Sequence, residues 1–464
     1  MKIFCCLCAV SNTYISNVPI KLKNVVYQGV SGEGVKRIAV ILMYLFSAAV
    51  ITTGCGGDDG ESDVKQLWIA LSDTSYEKRF FNRAGSGSRS VVWVEEGMSV
   101  SGDTVNALIS YFDGTVYPTV TTNFAASYDS DGDGKTALVI FAGDTGSTYI
   151  AGYMSPYDFY SNMNYSNRWD AVYLNGAHPS HLPGSDAFNN TLGHEFQHHC
   201  NFSRNVIEEH GGDYNYMMYT WIDEGLSENA GAMCAGLSSN YSRILHYMSD
   251  PDTVNGQRSV TIWDKSIDNY DMVYLYMGYL RERLGNSAMK AIIDHSNNGT
   301  SAVDAVITVK GFGGFNDFFE SFVKDLRTAS NFPTGFFHPG YSAPVATGSS
   351  QLRSYAFVYS GDFTVINSSL TYYDSSGKVT TNAANAVTAV YLDGDKNTWV
   401  TQNSSDTQQN FTVSSILTSS VLSAALRTVS GEEEGRVDMV IRPEGAPGIV
   451  VGSEDDTDEE EYYE

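Results

Sequence analysis

Three residues within one short stretch, His194, Glu195 and His198, can together bind a metal ion and move a proton. The stretch reads His-Glu-Phe-Gln-His, with the two histidines four residues apart. Residues at this spacing lie on one face of a helix, so both imidazoles can bind the same ion. Glu195 would lie beside the open coordination position, where a carboxylate can take a proton from water. This pattern predicts a zinc site, and the competing interpretation is a surface helix with two incidental histidines.

A second segment, Trp221–Glu228, supplies two carboxylates. Glu224 comes 26 positions after His198, which leaves room for a loop and a returning helix, and Glu228 is four residues further on. A catalytic zinc needs three protein ligands and one open position. One carboxylate can complete that set while the other accepts a hydrogen bond from a ligand histidine. The alternative is an amphipathic helix with two solvated glutamates, and the apolar residues around them favour the ligand interpretation.

These two motifs resemble those of the gluzincins, the thermolysin-like clan of zinc peptidases. The sequence segments around these motifs are most similar to those of the hyicolysin-like bacterial metallopeptidases. The resemblance implies His194, His198 and Glu224 as zinc ligands, Glu195 as general base and Glu228 as the acidic partner behind the ligands. The resemblance covers about residues 68–330. The matching sequence segments are Trp68-Ile69, Phe112–Pro118, Asp129–Phe141, Ala151–Pro156, His194–Phe202 and Trp221–Glu228.

Asp223 is a departure from this family, because many relatives have asparagine at that place. A metzincin site is excluded, since it needs glycine at position 201 and histidine at 204, where this chain has Asn201 and Arg204. In gluzincins the strand before the zinc helix forms the edge of the cleft and pairs with substrate. The resemblance gives that role to residues 170–176, and an ordinary sheet strand is the alternative.

Tyr270 is the candidate donor to the oxyanion of the tetrahedral intermediate. Zinc aminopeptidases of this clan have a tyrosine followed by an acidic residue, lysine and glycine, whereas Tyr270-Asp271 is followed by Met272 and Val273. A phenol in that place typically contributes a few kcal/mol in the transition state. The alternative is a packing tyrosine, and Tyr274 is a second candidate. No clear glycine-rich motif for binding a substrate amine precedes the zinc helix, which favours an endopeptidase over an aminopeptidase.

Three alternating carboxylates, Asp129, Asp131 and Asp133, followed by Gly134, form the first half of a calcium loop. The twelfth position of an EF-hand loop requires glutamate, and here it is Ile140. The segment is therefore not a true EF-hand. A bound calcium ion is the functional prediction, and an acidic turn leading into a strand is the alternative.

The N-terminal residues 1–54 read as a leader and signal peptide. Lys36-Arg37, an apolar run and the small residues before Cys55 resemble a bacterial lipoprotein signal, which implies lipid attachment at Cys55. A plain signal peptide and an uncleaved anchor are the alternatives. The true start is hypothesised to be Val35, and residues 55–64 form a linker.

The net charge of −26, from 54 acidic and 28 basic residues, opposes nucleic-acid binding. It agrees with an exported protein, held by its lipid at the outer membrane or cell surface, or otherwise secreted. We expect a monomer. Cys200 and Cys234 form an even pair once Cys55 is acylated, so a disulfide between the two ligand helices is one hypothesis and two buried thiols are the other.

The predicted fold class is α+β, a thermolysin-like zincin with a small C-terminal β-sandwich. An α/β subdomain with the cleft-edge strand covers residues 65–184, and a helical zinc-binding subdomain covers 185–332. The β-sandwich is expected at 340–447, and an acidic, disordered tail at 453–464.

The sequence thus predicts an exported zinc metalloendopeptidase that hydrolyses proteins or peptides. One alternative is a surface adhesion or binding lipoprotein with a protease-like fold and no turnover. Another is a zinc amidohydrolase acting on cell-wall material.

Overall fold

The chain was examined as a computed structural model, which describes residues 63–344 except 73, 147, 251–257 and 264–267, and short stretches between 349 and 437. The predicted leader, Cys55 and the acidic tail at 453–464 lie outside the described residues. In the part that is described, no helix is both long and apolar enough to cross a membrane.

A mixed sheet of six strands forms the first half of the described chain, in the order β1-β2-β3-β4-β7-β6. Strands β3, β4 and β7 run parallel, and the outer pairs are antiparallel. The strands of this half are β1 Val64–Ser72, β2 Ser75–Ser86, β3 Ser90–Glu95, β4 Thr136–Phe141, β5 Thr148–Ile150, β6 Gly152–Met154 and β7 Ala171–Asn175.

The central strands are apolar because both of their faces are covered. On β4, Leu138 and Ile140 join the core shared with the helices, while Val139 and Phe141 join a second core on the opposite face. This alternation follows from the two-residue period of a strand.

The prediction that residues 170–176 form the cleft edge is wrong. These residues contain β7, which is paired on one side with β4 and on the other with β6. The last strand of the sheet on this side is β6, in which Gly152, Tyr153 and Met154 pair with β7. A strand covered on both edges offers no free backbone groups to a substrate.

Helices form most of the second half, which confirms the expected sequence of a mixed sheet followed by a helical region. Short π-helical and 3₁₀ turns link several of them. The α-helices are α1 Gly102–Tyr111, α2 Tyr117–Asn123, α3 Asp186–Phe202, α4 Thr220–Ala235, α5 Tyr241–Ser249, α6 Asp268–Leu284, α7 Asn286–Ile293, α8 Thr300–Val309 and α9 Phe315–Arg327.

Strands follow after residue 349, as the serine-, threonine- and valine-rich composition predicts. They form a three-stranded and a four-stranded sheet, and β15 pairs in parallel with β5. That the two sheets face each other as a sandwich stays a prediction. The strands are β8 Ser349–Leu352, β9 Phe357–Gly361, β10 Phe363–Val365, β11 Lys378–Thr380, β12 Val387–Tyr391, β13 Thr398–Asn403, β14 Gln409–Ser415 and β15 Gly435–Val437.

Cys200 and Cys234 are both buried free thiols, so the disulfide hypothesis is wrong. The Sγ of Cys234 lies 3.1 Å from the place that a Cβ on Gly193 would occupy. Cys200 lies seven positions after Gly193 on the same helix, a rise of about 10 Å along the helix axis. That distance exceeds the span of a disulfide bond. Burial raises the pKa of both thiols.

Candidate metal centre

Helix α3 carries the two histidines and is fixed at its start by a cap. The Oγ of Ser185 accepts a hydrogen bond from the backbone N–H of Phe188 at 3.2 Å, which caps the first turn of the helix. Phe188, Leu192 and Phe196 lie one turn apart and belong to the main core. This apolar stripe anchors one side of α3, while His194 and His198 project toward α4.

Helices α3 and α4 approach closely because small residues meet where they pack. A Cβ on Gly231 would lie 2.8 Å from the carbonyl oxygen of Asn190, and one on Gly193 would lie 3.2 Å from Cα of Gly231. A side chain at either glycine would push the helices apart. The close approach brings Glu224 on α4 to the histidines of α3.

The predicted ligand atoms form a compact triangle. Nε2 of His194 lies 3.0 Å from Nε2 of His198, and the two nitrogens lie 3.2 and 3.4 Å from Oε2 of Glu224. His194 and Glu224 are wholly buried, and His198 is 8% exposed. The three residues form one of two candidate metal clusters among the described residues.

This triangle fits a zinc ion. Tetrahedral zinc holds nitrogen and oxygen ligands at about 2.0–2.2 Å, which places the ligand atoms about 3.3 Å apart. Neither carboxylate oxygen of Glu224 accepts a hydrogen bond from any described residue. A buried carboxylate left in this state is costly unless a cation neutralises it.

Glu228 lies behind His194, as predicted for the acidic partner. Its Oε1 is 3.6 Å from Nδ1 of His194 and accepts a hydrogen bond from Nη2 of Arg243 at 2.8 Å. Its Oε2 accepts a hydrogen bond from Nδ2 of Asn240 at 2.8 Å. Arg243 thus neutralises a carboxylate that is wholly buried. No sequence pattern pointed to Arg243 or Asn240, which come 15 and 12 residues after Glu228.

Asp223 lies behind His198, with its Oδ1 3.1 Å from Nδ1. Each of the two candidate ligand histidines therefore has a carboxylate near the ring nitrogen that faces away from the proposed metal position. A proton on each Nδ1 leaves both Nε2 lone pairs directed inward. The sequence marked Asp223 as a departure from the family but did not predict this contact.

The acid–base properties of His198 and Glu224 are shifted by burial and by neighbouring charges. Burial disfavours the protonated imidazole of His198, but Asp223 and Glu224 outweigh that effect and hold the pKa of His198 well above its usual range. Burial alone would raise the pKa of Glu224, yet His198 and His194 lower it.

Glu195 is 1% exposed and lies where strand β6 meets α3. A Cβ on Gly152 would come within 3.0 Å of the Cγ of Glu195. The candidate base is thus next to the ligand histidines in sequence and against the last strand of the sheet in space.

Tyr270 and Tyr274 are both buried on α6. The ring of Tyr270 packs edge-on against Trp263 at 4.9 Å, and the guanidinium of Arg243 lies over it at 4.6 Å. Tyr270 therefore contacts the arginine that binds Glu228. Tyr274 stacks on Phe336 at 4.6 Å, and its hydroxyl is buried without a hydrogen bond to a described residue. The oxyanion role of Tyr270 stays a prediction.

The second candidate metal cluster, an exposed acidic one, differs from the predicted set. Asp129 and Asp131 lie with the buried Asp170, not with Asp133. The Oδ1 of Asp133 instead accepts the backbone N–H of Lys135 at 2.7 Å. Burial, together with the nearby aspartates, raises the pKa of Asp170 to about 8. That calcium binds here stays a prediction.

The remaining histidines near the zinc motif have other partners. His181 is buried, with Nδ1 2.7 Å from the carbonyl oxygen of Asn175 and Nε2 2.9 Å from Oγ1 of Thr191. It thus joins the end of β7 to α3. His178 stacks on Tyr149, and His210 stacks on Tyr216. None of the three belongs to a metal cluster of the described residues.

Comparison with known proteins supports a peptidase relationship. No protein-family profile matches the chain. It is 27% identical over 238 residues to the neutral metalloprotease ShpI of Staphylococcus hyicus. The match covers 48% of this chain and 52% of that protein, so the chain spans about half the length of this curated relative.

Two solved structures have weak similarity. Native yeast LTA4 hydrolase aligns with a TM-score of 0.33 and 12% identity, over 53% of this chain and 42% of that one. An aminopeptidase N family protein from Idiomarina loihiensis aligns with a TM-score of 0.33 and 10% identity, over 76% of this chain and 67% of the other.

Proposed function

We propose that this protein is a gluzincin-type zinc endopeptidase that hydrolyses peptide bonds in proteins or peptides. The observation that carries the proposal is the buried triangle of His194, His198 and Glu224, with edges of 3.0–3.4 Å. Glu195 lies on the same helix as the two histidines, and glutamate is a residue type that serves as general base. The similarity to a neutral metalloprotease over half the chain supports the same reaction class.

The chain's own residues have distinct roles in this proposal. His194, His198 and Glu224 hold the metal, which when bound supplies a Lewis acid and lowers the pKa of a water. Glu195 accepts the proton of the attacking water and delivers it to the leaving amine. Tyr270 is the proposed donor to the oxyanion.

Substrate is proposed to add as a strand to β6. This strand ends the sheet and passes over α3 beside Glu195. Backbone pairing holds a peptide without requiring a particular side chain. The proposal moves this role from residues 170–176 to Gly152–Met154.

Export and lipid attachment at Cys55 are proposed from the sequence alone, through the signal-like segment before that cysteine. Mass spectrometry of the mature N-terminus tests them. A diacylated or triacylated Cys55 peptide is expected, and an N-terminus elsewhere without lipid would contradict the assignment.

The deciding experiment measures zinc content and cleavage of an unfolded protein by the parent and by Glu195→Gln. We expect one zinc in both proteins and a rate about 10²–10⁴-fold lower in the variant, the usual contribution of a general base. Glu208→Gln is the matched control, because Glu208 is a partly exposed glutamate in the turn after α3.

The other outcomes separate the alternatives. Zinc in both proteins without cleavage of any protein substrate would favour a binding lipoprotein. Release of peptidoglycan fragments by the parent, but not by Glu195→Gln, would favour a cell-wall amidohydrolase. Absence of zinc from both proteins would overturn the metal site itself.

Tyr270→Phe tests the oxyanion role. Loss of an oxyanion donor costs about 10²–10³-fold in kcat, and zinc content should not change. A kcat within twofold of the parent would leave Tyr270 as a packing residue under Arg243.

A further inference from the structure

Helix α4 presents two carboxylates to the outer nitrogens of the zinc-binding histidines, and the two contacts differ in length. The Oδ1 of Asp223 is 3.1 Å from Nδ1 of His198, whereas the Oε1 of Glu228 is 3.6 Å from Nδ1 of His194. Asp223 directly precedes the ligand Glu224, so one turn of α4 supplies a ligand and the support for another ligand.

The carboxylate of Asp223 is oriented by amides from the zinc helix. Nδ2 of Asn201 donates to Oδ1 of Asp223 at 2.5 Å. The Oδ1 of Asn201 in turn accepts a hydrogen bond from Nδ2 of Asn205 at 2.5 Å. Asn201 is less than one turn beyond His198 on α3, so the same helix that carries the histidine also aims the carboxylate at it.

The two carboxylates also differ in how their charge is compensated. Glu228 accepts a hydrogen bond from the guanidinium of Arg243, which is a charged donor. The Asn201 amide that binds Asp223 is neutral.

His198 has a second acceptor within reach of the same nitrogen. The Oγ of Ser227 also lies 3.1 Å from Nδ1 of His198, and it bonds to Gln197 and to the carbonyl oxygen of Asp223. A neutral hydroxyl gives a weaker hydrogen bond than a carboxylate. Ser227 therefore provides a neutral acceptor near the same nitrogen, with which the effect of the charged Asp223 can be compared.

We infer that Asp223 is a positioning residue for zinc: its carboxylate accepts the Nδ1 proton of His198, fixes the ring with Nε2 inward and strengthens metal binding. This inference rests on the proposed function, because it assumes that the triangle holds zinc. It goes beyond the proposed function by assigning a role to the carboxylate at position 223. Outer partners of ligand histidines typically change metal affinity by about 10–100-fold.

The test measures the zinc dissociation constant of the full chain by competition with a chromophoric chelator, for the parent, Asp223→Asn and Ser227→Ala. Asp223→Asn keeps the shape and removes only the charge. We expect about 10–100-fold weaker zinc binding for Asp223→Asn and a clearly smaller loss for Ser227→Ala. Zinc binding by Asp223→Asn within threefold of the parent would overturn the inference.

A second readout does not depend on activity. In zinc-loaded protein labelled with ¹⁵N-histidine, a buried Nδ1–H bonded to a carboxylate gives a downfield proton signal. Asp223→Asn should move the His198 signal upfield and leave that of His194, and Glu228→Gln should do the reverse. An unmoved His198 signal in Asp223→Asn would overturn the inference even if that variant bound zinc weakly through partial unfolding.

The failure of this inference is distinguishable from that of the proposed function. Zinc binding by the parent with no effect of Asp223→Asn rejects the inference alone. An effect of Asp223→Asn on zinc affinity in a parent that cleaves no peptide keeps the inference and rejects the peptidase. A parent that binds no zinc rejects both.

Discussion

Gly152 on β6 lies directly against Glu195 on α3. A Cβ at position 152 would lie 3.0 Å from the Cγ of Glu195, 2.7 Å from Cγ2 of Thr191 and 2.9 Å from the carbonyl oxygen of Tyr173. The backbone carbonyl and the β-branched threonine cannot move aside easily. The absence of a side chain at Gly152 is what lets the last strand of the sheet reach the candidate base.

Gly152→Ala should therefore displace Glu195 and lower kcat. A misplacement of about 1 Å in a catalytic group can cost about 100-fold. Zinc content should not change, because the atoms that the new methyl group would meet belong to none of the three ligands. The measurement is kcat and zinc content beside Gly102→Ala, whose Cβ would meet nothing within 4 Å. An unchanged kcat in Gly152→Ala would contradict this account of the strand.

Much of the triangle of His194, His198 and Glu224 was predictable from local chemistry. The spacing of His194 and His198 needs only a helix to bring both imidazoles to one face. Glu224 followed from the requirement for a third ligand and from the family resemblance. The structure brings these three side chains together as predicted.

The edge strand was not predictable in the same way. β6 has only three residues, too few for a strand pattern to be recognised. The run Ala171–Asn175 is fully buried along its length, which is typical of a strand covered on both faces and not of an edge. That apolar run is longer than β6 and uninterrupted, so the sequence pattern points to it as the edge strand, whereas the edge of the sheet is β6.

Contacts between distant segments lie beyond a reading of local patterns. Arg243 reaches Glu228 because α5 packs near α4, and no spacing rule connects those two residues. Asp170 joins Asp129 and Asp131 because β7 begins beside the acidic loop. Such pairings depend on tertiary packing, which composition and periodicity do not specify.

Removing Arg243 should destabilise the protein through Glu228. Arg243→Met leaves a wholly buried carboxylate without its guanidinium, and breaking a buried pair in this way typically costs about 3–5 kcal/mol. Urea unfolding of the parent and variant measures the loss. The control is Lys324→Met, which breaks the partly exposed pair with Glu320 at 2.6 Å and should cost at most about 1 kcal/mol. Equal losses from the two variants would show that Glu228 does not depend on Arg243.

Zinc removal should lower the melting temperature. A ligand that binds only the folded state stabilises it by an amount that rises with free ligand concentration, about 2.7 kcal/mol at 100 times the dissociation constant. Adding zinc to metal-free parent should therefore raise the melting temperature, and Glu224→Gln should lose most of that rise. Calorimetry with and without chelator measures both. A full zinc-dependent rise in Glu224→Gln would place the metal elsewhere.

The buried carboxyl group of Asp158 should make the stability of the protein depend on pH, independently of the candidate metal site. Its carboxyl is buried, and burial raises its pKa to about 7 despite hydrogen bonds from Tyr173 and Asn167. The folded protein keeps this proton up to about pH 7, whereas the unfolded chain releases it near pH 4. The stabilisation of the folded protein by protonated Asp158 is fully present below about pH 4. It falls as the pH rises toward 7, and above that pH it no longer changes.

Asp158→Asn should remove this slope, which amounts to about 4 kcal/mol for a difference of about three pKa units. The free energy of unfolding is measured for the parent and variant from pH 4 to pH 8, with Asp103→Asn, on the exposed first turn of α1, as the control substitution. The parent should lose its advantage over Asp158→Asn as the pH rises. A difference between the two proteins that stays constant over this range would mean that Asp158 is ionised in the folded protein, held by the tyrosine hydroxyl and the backbone N–H.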